Sequence, residues 1–157
     1  MTKPIPDGYH TVTPYLTLDD ATAAIEFYKD AFGATERVRM EAPDGSIGHA
    51  ELQIGDSILM LADVTPQSST KPPSELGGTS AGVFLYVEDV DKVVAQATKA
   101  GAVVTQEVAD MFWGDRFGSL RDPYGHVWSV ATHVKDLTPE EIAEGAKQAM
   151  GAGAATS

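Results

Sequence analysis

The chain has 157 residues, a formal charge of −12 and no cysteine. That excludes disulfides, thiolate metal ligands and a cysteine nucleophile, and an acidic surface opposes binding to phosphate backbones. The first ten residues, MTKPIPDGYH, hold no apolar run, and no stretch approaches the roughly 18 apolar residues of a membrane span. A cytoplasmic protein is expected, with neither nucleic acid nor membrane as partner.

Taken in order, residues 9–18 alternate: His10, Val12, Leu16 and Leu18 against Tyr9, Thr11, Thr13, Tyr15 and Thr17. A period of two predicts a strand with one buried face. Asp19 or Asp20 then caps a helix near 20–32, with Ala21, Ala24, Ile25, Tyr28 and Phe32 on its apolar stripe and Gly33 ending it. Residues 35–42 and 47–54 read as a hairpin around Pro43, Asp44 and Gly45, and 57–63 as a further strand. Residues 64–79, rich in Pro and Ser and without periodicity, read as an unusually long linker.

The plan then repeats. A strand at 82–87 precedes Asp89, which caps a helix near 89–100 carrying Val90, Val93, Val94 and Ala97. Strands follow at 102–112, 115–121 and 126–133, the last two joined by the turn Asp122-Pro123-Tyr124-Gly125. Tyr15 and Phe84, Asp20 and Asp89, and Ala62 and Ala131 all lie 69 residues apart. A constant spacing held that far indicates two copies of one βαβββ unit. The predicted fold class is α+β: modules 8–63 and 80–133, joined by the linker 64–79, form one domain over 1–135. Over 136–157, Thr138, Pro139 and Glu141 predict a capped helix near 139–149, and GAGAATS from Gly151 onward predicts a disordered tail.

Two such halves, a linker, and a second half ending in RDPYGHVWSV resemble the vicinal oxygen chelate superfamily, which includes glyoxalase I, extradiol dioxygenases and the bleomycin- and fosfomycin-resistance proteins. GDSILMLAD, WGDRFGSLRDPYGHVWSVATH and DLTPEE are similar to its PhnB-like branch. The resemblance implies a cupped mixed sheet built from two modules, a ligand in the cup, and a homodimer, with modules exchanged between chains through the linker as one route to it. It also implies one metal ligand on the first and last strand of each half. In this chain those positions are Thr13, Met60, Gly82 and Ser129. None offers the nitrogen or carboxylate that Zn²⁺ or Mn²⁺ prefers, so no metal or other cofactor is expected there.

The face shared with those positions carries Thr13, Tyr15 and Met60 in the first half and Phe84, Tyr86 and Ser129 in the second, with Trp113 at the rim. It is apolar and aromatic with few polar groups, the usual composition of a small-molecule pocket. These seven residues are the candidate ligand-binding set. The ligand class is hydrophobic or cationic, since aromatic rings and net negative charge both suit a cation. The expected function is metal-free small-molecule binding, of the sequestering kind that the resemblance to bleomycin-resistance proteins implies. The alternative is a metal-dependent lyase, isomerase or dioxygenase with displaced ligands, such as His49 and Glu51, which share a strand face. Asp115 and Arg116, beside Trp113, read as the edge of a polar cleft or a surface ion pair. Ser129 has no nucleophile-elbow context.

Overall fold

The computed structural model describes residues 1–154, with side chains described to residue 152. The first module runs β1 (Tyr15–Leu18), α1 (Ala21–Phe32), β2 (Thr35–Glu41), β3 (Ile47–Ile54) and β4 (Ser57–Asp63). A short helix, α2 (Pro73–Leu76), follows in the connection. The second module runs β5 (Gly82–Tyr86), α3 (Val90–Ala100), β6 (Val103–Asp110), β7 (Asp115–Arg121) and β8 (Val127–His133), and α4 (Pro139–Ala154) closes the chain. Each module is one mixed four-stranded sheet, ordered β1-β4-β3-β2 in the first and β5-β8-β7-β6 in the second. The predicted α+β fold of two βαβββ modules and a C-terminal helix is the observed one.

The spacing of 69 is structural. Tyr15 lies opposite Met60 in the parallel pair β1–β4, and Phe84 opposite Ser129 in the parallel pair β5–β8. Both helices start the same way. Asp20 accepts from the Ala23 amide and Asp89 from the Lys92 amide, each at 3.0 Å. A second group, on the last strand, reaches the first helical amide: Asp63 accepts from Ala21 at 2.7 Å and Thr132 from Val90 at 2.9 Å. Free N–H groups at a helix start need such acceptors, and one cap is worth roughly 1 kcal/mol.

The modules are joined through their helices, α1 against α3. The shared core is aromatic where they meet. Trp128 packs against Phe32 (ring centroids 4.5 Å apart) and Tyr28 (5.0 Å), and Tyr124 against Phe27 (6.2 Å). Asp122 holds this junction. It is 4% exposed and accepts four hydrogen bonds: from the Tyr28 hydroxyl (2.6 Å), the Trp128 indole (2.9 Å), and the amides of Tyr124 (3.0 Å) and His126 (2.9 Å). His126 Nε2 in turn lies 2.9 Å from the Thr17 carbonyl of the other module. The turn Asp122–Gly125 is thus also a clasp.

Two expectations are corrected. The first strand does not span 9–18 but begins at Tyr15. Pro14 has no N–H to give a ladder, the Thr13 hydroxyl donates to the His10 carbonyl (3.2 Å), and the Tyr9 hydroxyl is held by Glu51. The connection 64–79 carries the short helix α2, and Pro73 is buried against Gly125. The last helix does not stop near 149 but runs to Ala154, taking in residues expected to be disordered. Residues 151–154 are two glycines and two alanines, of which only the alanines favour helix. The remaining tail expectation, for 155–157, lies outside the described residues. The capping box stands as expected: Thr138 N donates to Glu141 (2.8 Å) and Glu141 N to the Thr138 hydroxyl (3.2 Å).

Candidate functional site

Side chains of a strand alternate, so each sheet has one face packed on the helices and one open face. Leu16, Leu18, Leu61, Leu120, Trp128 and Val130 are buried on the helix side. The seven candidate residues lie on or beside the open faces, divided between the two sheets. Tyr15 and Met60 pair on the first sheet, and Thr13 sits just before β1. Phe84 and Ser129 pair on the second, with Tyr86 at the end of β5 and Trp113 in the β6–β7 turn.

A cleft of about 1240 Å³ runs along the free edge of β5. Its walls are Val83–Asp89 and the start of α3 on one side, and His10, Thr13 and the turn 54–59 of the first module on the other. Thr13, Phe84 and Tyr86 meet there; Tyr15, Met60, Trp113 and Ser129 are not among its walls.

The open face of the second sheet is an aromatic shelf. Phe84 stacks beside Phe117 (5.7 Å, 29° between planes) and leans on Tyr86 (5.1 Å, 39°), while Trp113 stands across Phe117 (5.8 Å, 68°). Ser119 and Ser129, 3.5 Å apart, form a small polar floor. Tyr86 is 65% and Phe84 49% exposed, and Asp115, at 3%, lies buried at the end of the shelf. Asp115 fixes the shelf by accepting from the Tyr86 hydroxyl (2.9 Å) and the Trp113 indole (3.1 Å) on one oxygen and from His133 (2.8 Å) on the other. Burial works to raise this carboxyl, but the bonds from His133, Tyr86 and Trp113 outweigh it, and the net shift is downward. His133 is shifted upward by Asp136 and Asp115, so protonation of its ring strengthens the bond that anchors the shelf. Arg116, by contrast, faces outward to Asp91 (2.7 Å) and Asp110 (3.1 Å). Of the Asp115–Arg116 pair, only the aspartate belongs to the open face.

The open face of the first sheet is polar. Its centre is a chain of four side chains. The Tyr9 hydroxyl donates to Glu51, His49 Nε2 lies 3.1 Å from the other Glu51 oxygen, and the Tyr15 hydroxyl lies 2.9 Å from His49 Nδ1. Arg37 sits over the Tyr9 ring at 5.6 Å. Glu51 is buried beneath these groups. The bond from Tyr9, with that from His49, holds its carboxyl below the ordinary range against the opposing effect of burial.

Metal ligation is tested by the donor set. At the positions where the resemblance places ligands stand a hydroxyl, a thioether, a glycine and another hydroxyl, which do not fit a hard divalent ion. His49 and Glu51 do meet, but both imidazole nitrogens are engaged within the protein. No group of three His, Cys, Asp or Glu gathers among the described residues.

Sequence reasoning passed over Phe117, Tyr9 and the hub roles of Asp115 and Asp122. Phe117 was within reach: alternation over 115–121 puts Asp115, Phe117 and Ser119 on one face, opposite Ser129. Tyr9 was not, because its bond to Glu51 spans 42 residues and depends on the strand ending early.

Paired βαβββ modules, each with an open face on its own mixed sheet, define the fold class of this chain. Comparison with known proteins gives the same class. The family model of the Glyoxalase/Bleomycin resistance protein/Dioxygenase superfamily matches residues 9–130. The Mycobacterium tuberculosis protein Rv0887c is 42% identical over 134 residues, covering 83% of this chain and 79% of its own. The crystal structure of TioX from Micromonospora sp. ML1 superposes with a TM-score of 0.64 at 29% identity, over 80% of this chain and 99% of that one. The PhnB protein of Bacillus cereus shares the fold, with a TM-score of 0.60 at 18% identity over 78% and 99% of the two chains. The chain belongs to the Glyoxalase/Bleomycin resistance protein/Dioxygenase superfamily. Among the described residues no helix is long and apolar enough to cross a membrane.

Proposed function

We propose that this protein binds a small hydrophobic or cationic molecule without a metal ion, on open faces that a second copy of the chain helps to enclose. The carrying observation is the shelf of Phe84, Tyr86, Phe117 and Trp113, with Phe84 and Tyr86 exposed although Asp115 fixes Tyr86 and Trp113. Rings locked in place before a guest arrives lose little freedom on binding. A planar or cationic guest gains stacking or cation–π contacts worth on the order of 1 kcal/mol each. The negative net charge and the buried Asp115 carboxylate favour the cation.

A homodimer follows from the same exposure. β1 and β5 each pair on one side only, and an unpaired edge beside an exposed aromatic face is covered most simply by a second copy. Sequestration of a guest is the role such a face serves without further chemistry, and it suits a superfamily whose name includes bleomycin resistance proteins.

Three measurements test the proposal. Elemental analysis of untagged protein is expected to find far less than one divalent ion per chain. Light scattering at micromolar concentration is expected to give twice the chain mass. For a guest identified by thermal shift, Phe84→Ala is expected to weaken binding by about 10- to 100-fold, with a folded control by circular dichroism. Stoichiometric metal would overturn the metal-free reading, a monomer mass the dimer, and unchanged affinity the shelf.

A further inference from the structure

The polar chain on the first sheet has a chemistry that ligand sequestration does not use. Glu51, on β3, is ionised and can only accept hydrogen bonds. His49 Nε2, 3.1 Å away, therefore carries the ring proton. In that tautomer Nδ1 keeps its lone pair and accepts from the Tyr15 hydroxyl at 2.9 Å. The carboxylate sets the tautomer, the imidazole is the base, and the base points at a hydroxyl on the open face. A carboxylate, an imidazole and a hydroxyl in that order form the arrangement that moves protons in hydrolytic triads. Here the hydroxyl is a phenol, 52% exposed, so the base lies one side chain from solvent.

The support around it is built. Glu51 is pinned from behind by Tyr9, which the N-terminal segment lays across the sheet. Met60 stands opposite both Tyr15 and Glu51, an apolar residue between the ends of the relay. A buried carboxylate held by a second donor and presented to one ring nitrogen fixes the orientation that general-base catalysis needs.

We propose that His49, oriented by Glu51, is a metal-independent general base on the open face of the first sheet, and that its substrates are small molecules with an acidic C–H beside an electronegative oxygen. A ligand that displaces the Tyr15 hydroxyl from Nδ1 presents its own proton there. The C–H proton passes to Nδ1, its electron pair moves into the substrate toward an electronegative oxygen, and the freed Tyr15 hydroxyl donates to that oxygen. Return of the proton completes an isomerisation or a solvent exchange, and no redox partner is needed. His49 is the catalytic residue in this scheme; Glu51 is a positioning residue. The aromatic shelf takes no part, so this proposal and the binding proposal stand or fall separately.

The test uses 5-nitrobenzisoxazole, a flat probe that opens by one proton abstraction. The base takes the ring C–H proton, that electron pair forms the nitrile, and the N–O bond breaks to release a coloured phenolate. The full-length protein is expected to accelerate the opening by about 100-fold or more over an equal concentration of free imidazole. His49→Gln is expected to abolish the excess, and Glu51→Gln to lower it about tenfold. The nitrogen-NMR spectrum of the His49 ring is expected to show the Nε2–H tautomer in the wild type and a mixture in Glu51→Gln. A purely structural role for Glu51 would not alter that spectrum selectively. The proposal is overturned if wild-type protein is no faster than imidazole, if folded His49→Gln keeps the excess, or if the tautomer is indifferent to Glu51→Gln.

Discussion

Replacing Asp122 with alanine tests how the two halves are held together. The substitution removes the acceptor of four hydrogen bonds at the module junction. Two of the donors, the Tyr28 hydroxyl and the Trp128 indole N–H, belong to side chains with no exposure at all. Water does not reach them, so each is left unsatisfied at about 1–3 kcal/mol. The side chains alone therefore give a loss of about 2–6 kcal/mol, against a usual whole of about 5–15 kcal/mol for a domain. Asp122→Asn keeps one acceptor oxygen but turns an amide toward a donor, and its cost falls in between. The assay is urea unfolding of wild type, Asp122→Ala, Tyr28→Phe and the double variant. Tyr28→Phe alone removes one bond to a charged acceptor, about 1.5–3 kcal/mol. The double variant leaves no phenol unsatisfied and should cost less than the sum of the singles by about 1–3 kcal/mol. A loss below about 1 kcal/mol for Asp122→Ala, or no coupling in the cycle, would refute the view of Asp122 as the clasp.

Alkaline pH should weaken the fold. All five tyrosines are shifted above the ordinary phenol value of 10.0: Tyr28 furthest, and with it Tyr15 and Tyr124, chiefly through burial, and Tyr9 and Tyr86 chiefly through their bonds to Glu51 and Asp115. The folded state thus keeps protons that the unfolded chain releases, so their contribution is complete below pH 10.0 and is lost as pH rises through the folded values. Urea midpoints measured across that range should fall, and less steeply in Tyr28→Phe; a midpoint indifferent to pH would contradict this. Gly114→Ala should cost at least about 2 kcal/mol: its φ is +98°, and an added Cβ meets the backbone carbonyl of Lys135. Guanidinium unfolding checks that figure, and a Trp113 fluorescence change is expected with it, since Gly114 sets the turn that carries the indole. A neutral outcome would mean the turn relaxes without loss.

The frame of this protein was legible because the signals that set it are local and were written twice. Asp20 and Asp89 announce helices by short-range capping, Gly33 ends one in the left-handed region (φ 68°), and period-two alternation marks most strands. Their common spacing placed Tyr15 with Phe84 and Met60 with Ser129 before any coordinate did. What failed were contacts that sequence order does not encode. Strand β1 was read too long because alternation from Tyr9 to Thr13 continues where the backbone turns away to bring Tyr9 to Glu51. Asp122 was read as a turn residue, which it is; its bond to Tyr28, 94 residues earlier, depends on how the modules dock.

The same spacing explains how one frame carries two chemistries. The strand registers make Tyr15, Met60 and Glu51 in the first module the equivalents of Phe84, Ser129 and Ser119 in the second. On one side the set is a phenol, a thioether and a carboxylate; on the other it is a phenyl ring and two small hydroxyls. The helix-facing positions are apolar in both halves, because they bury against α1 and α3 and any polar group there must find a partner. The open faces bear no such constraint. Glu51 recruits Tyr9 and His49 and becomes a polar relay, while Ser119 and Ser129 leave room for Phe84 and Phe117 to lean together above them. Exchanging Phe84 for tyrosine would give the shelf the phenol of its counterpart. With Ser119 beside Ser129 where Glu51 stands in the first module, no carboxylate and imidazole would be there to engage it.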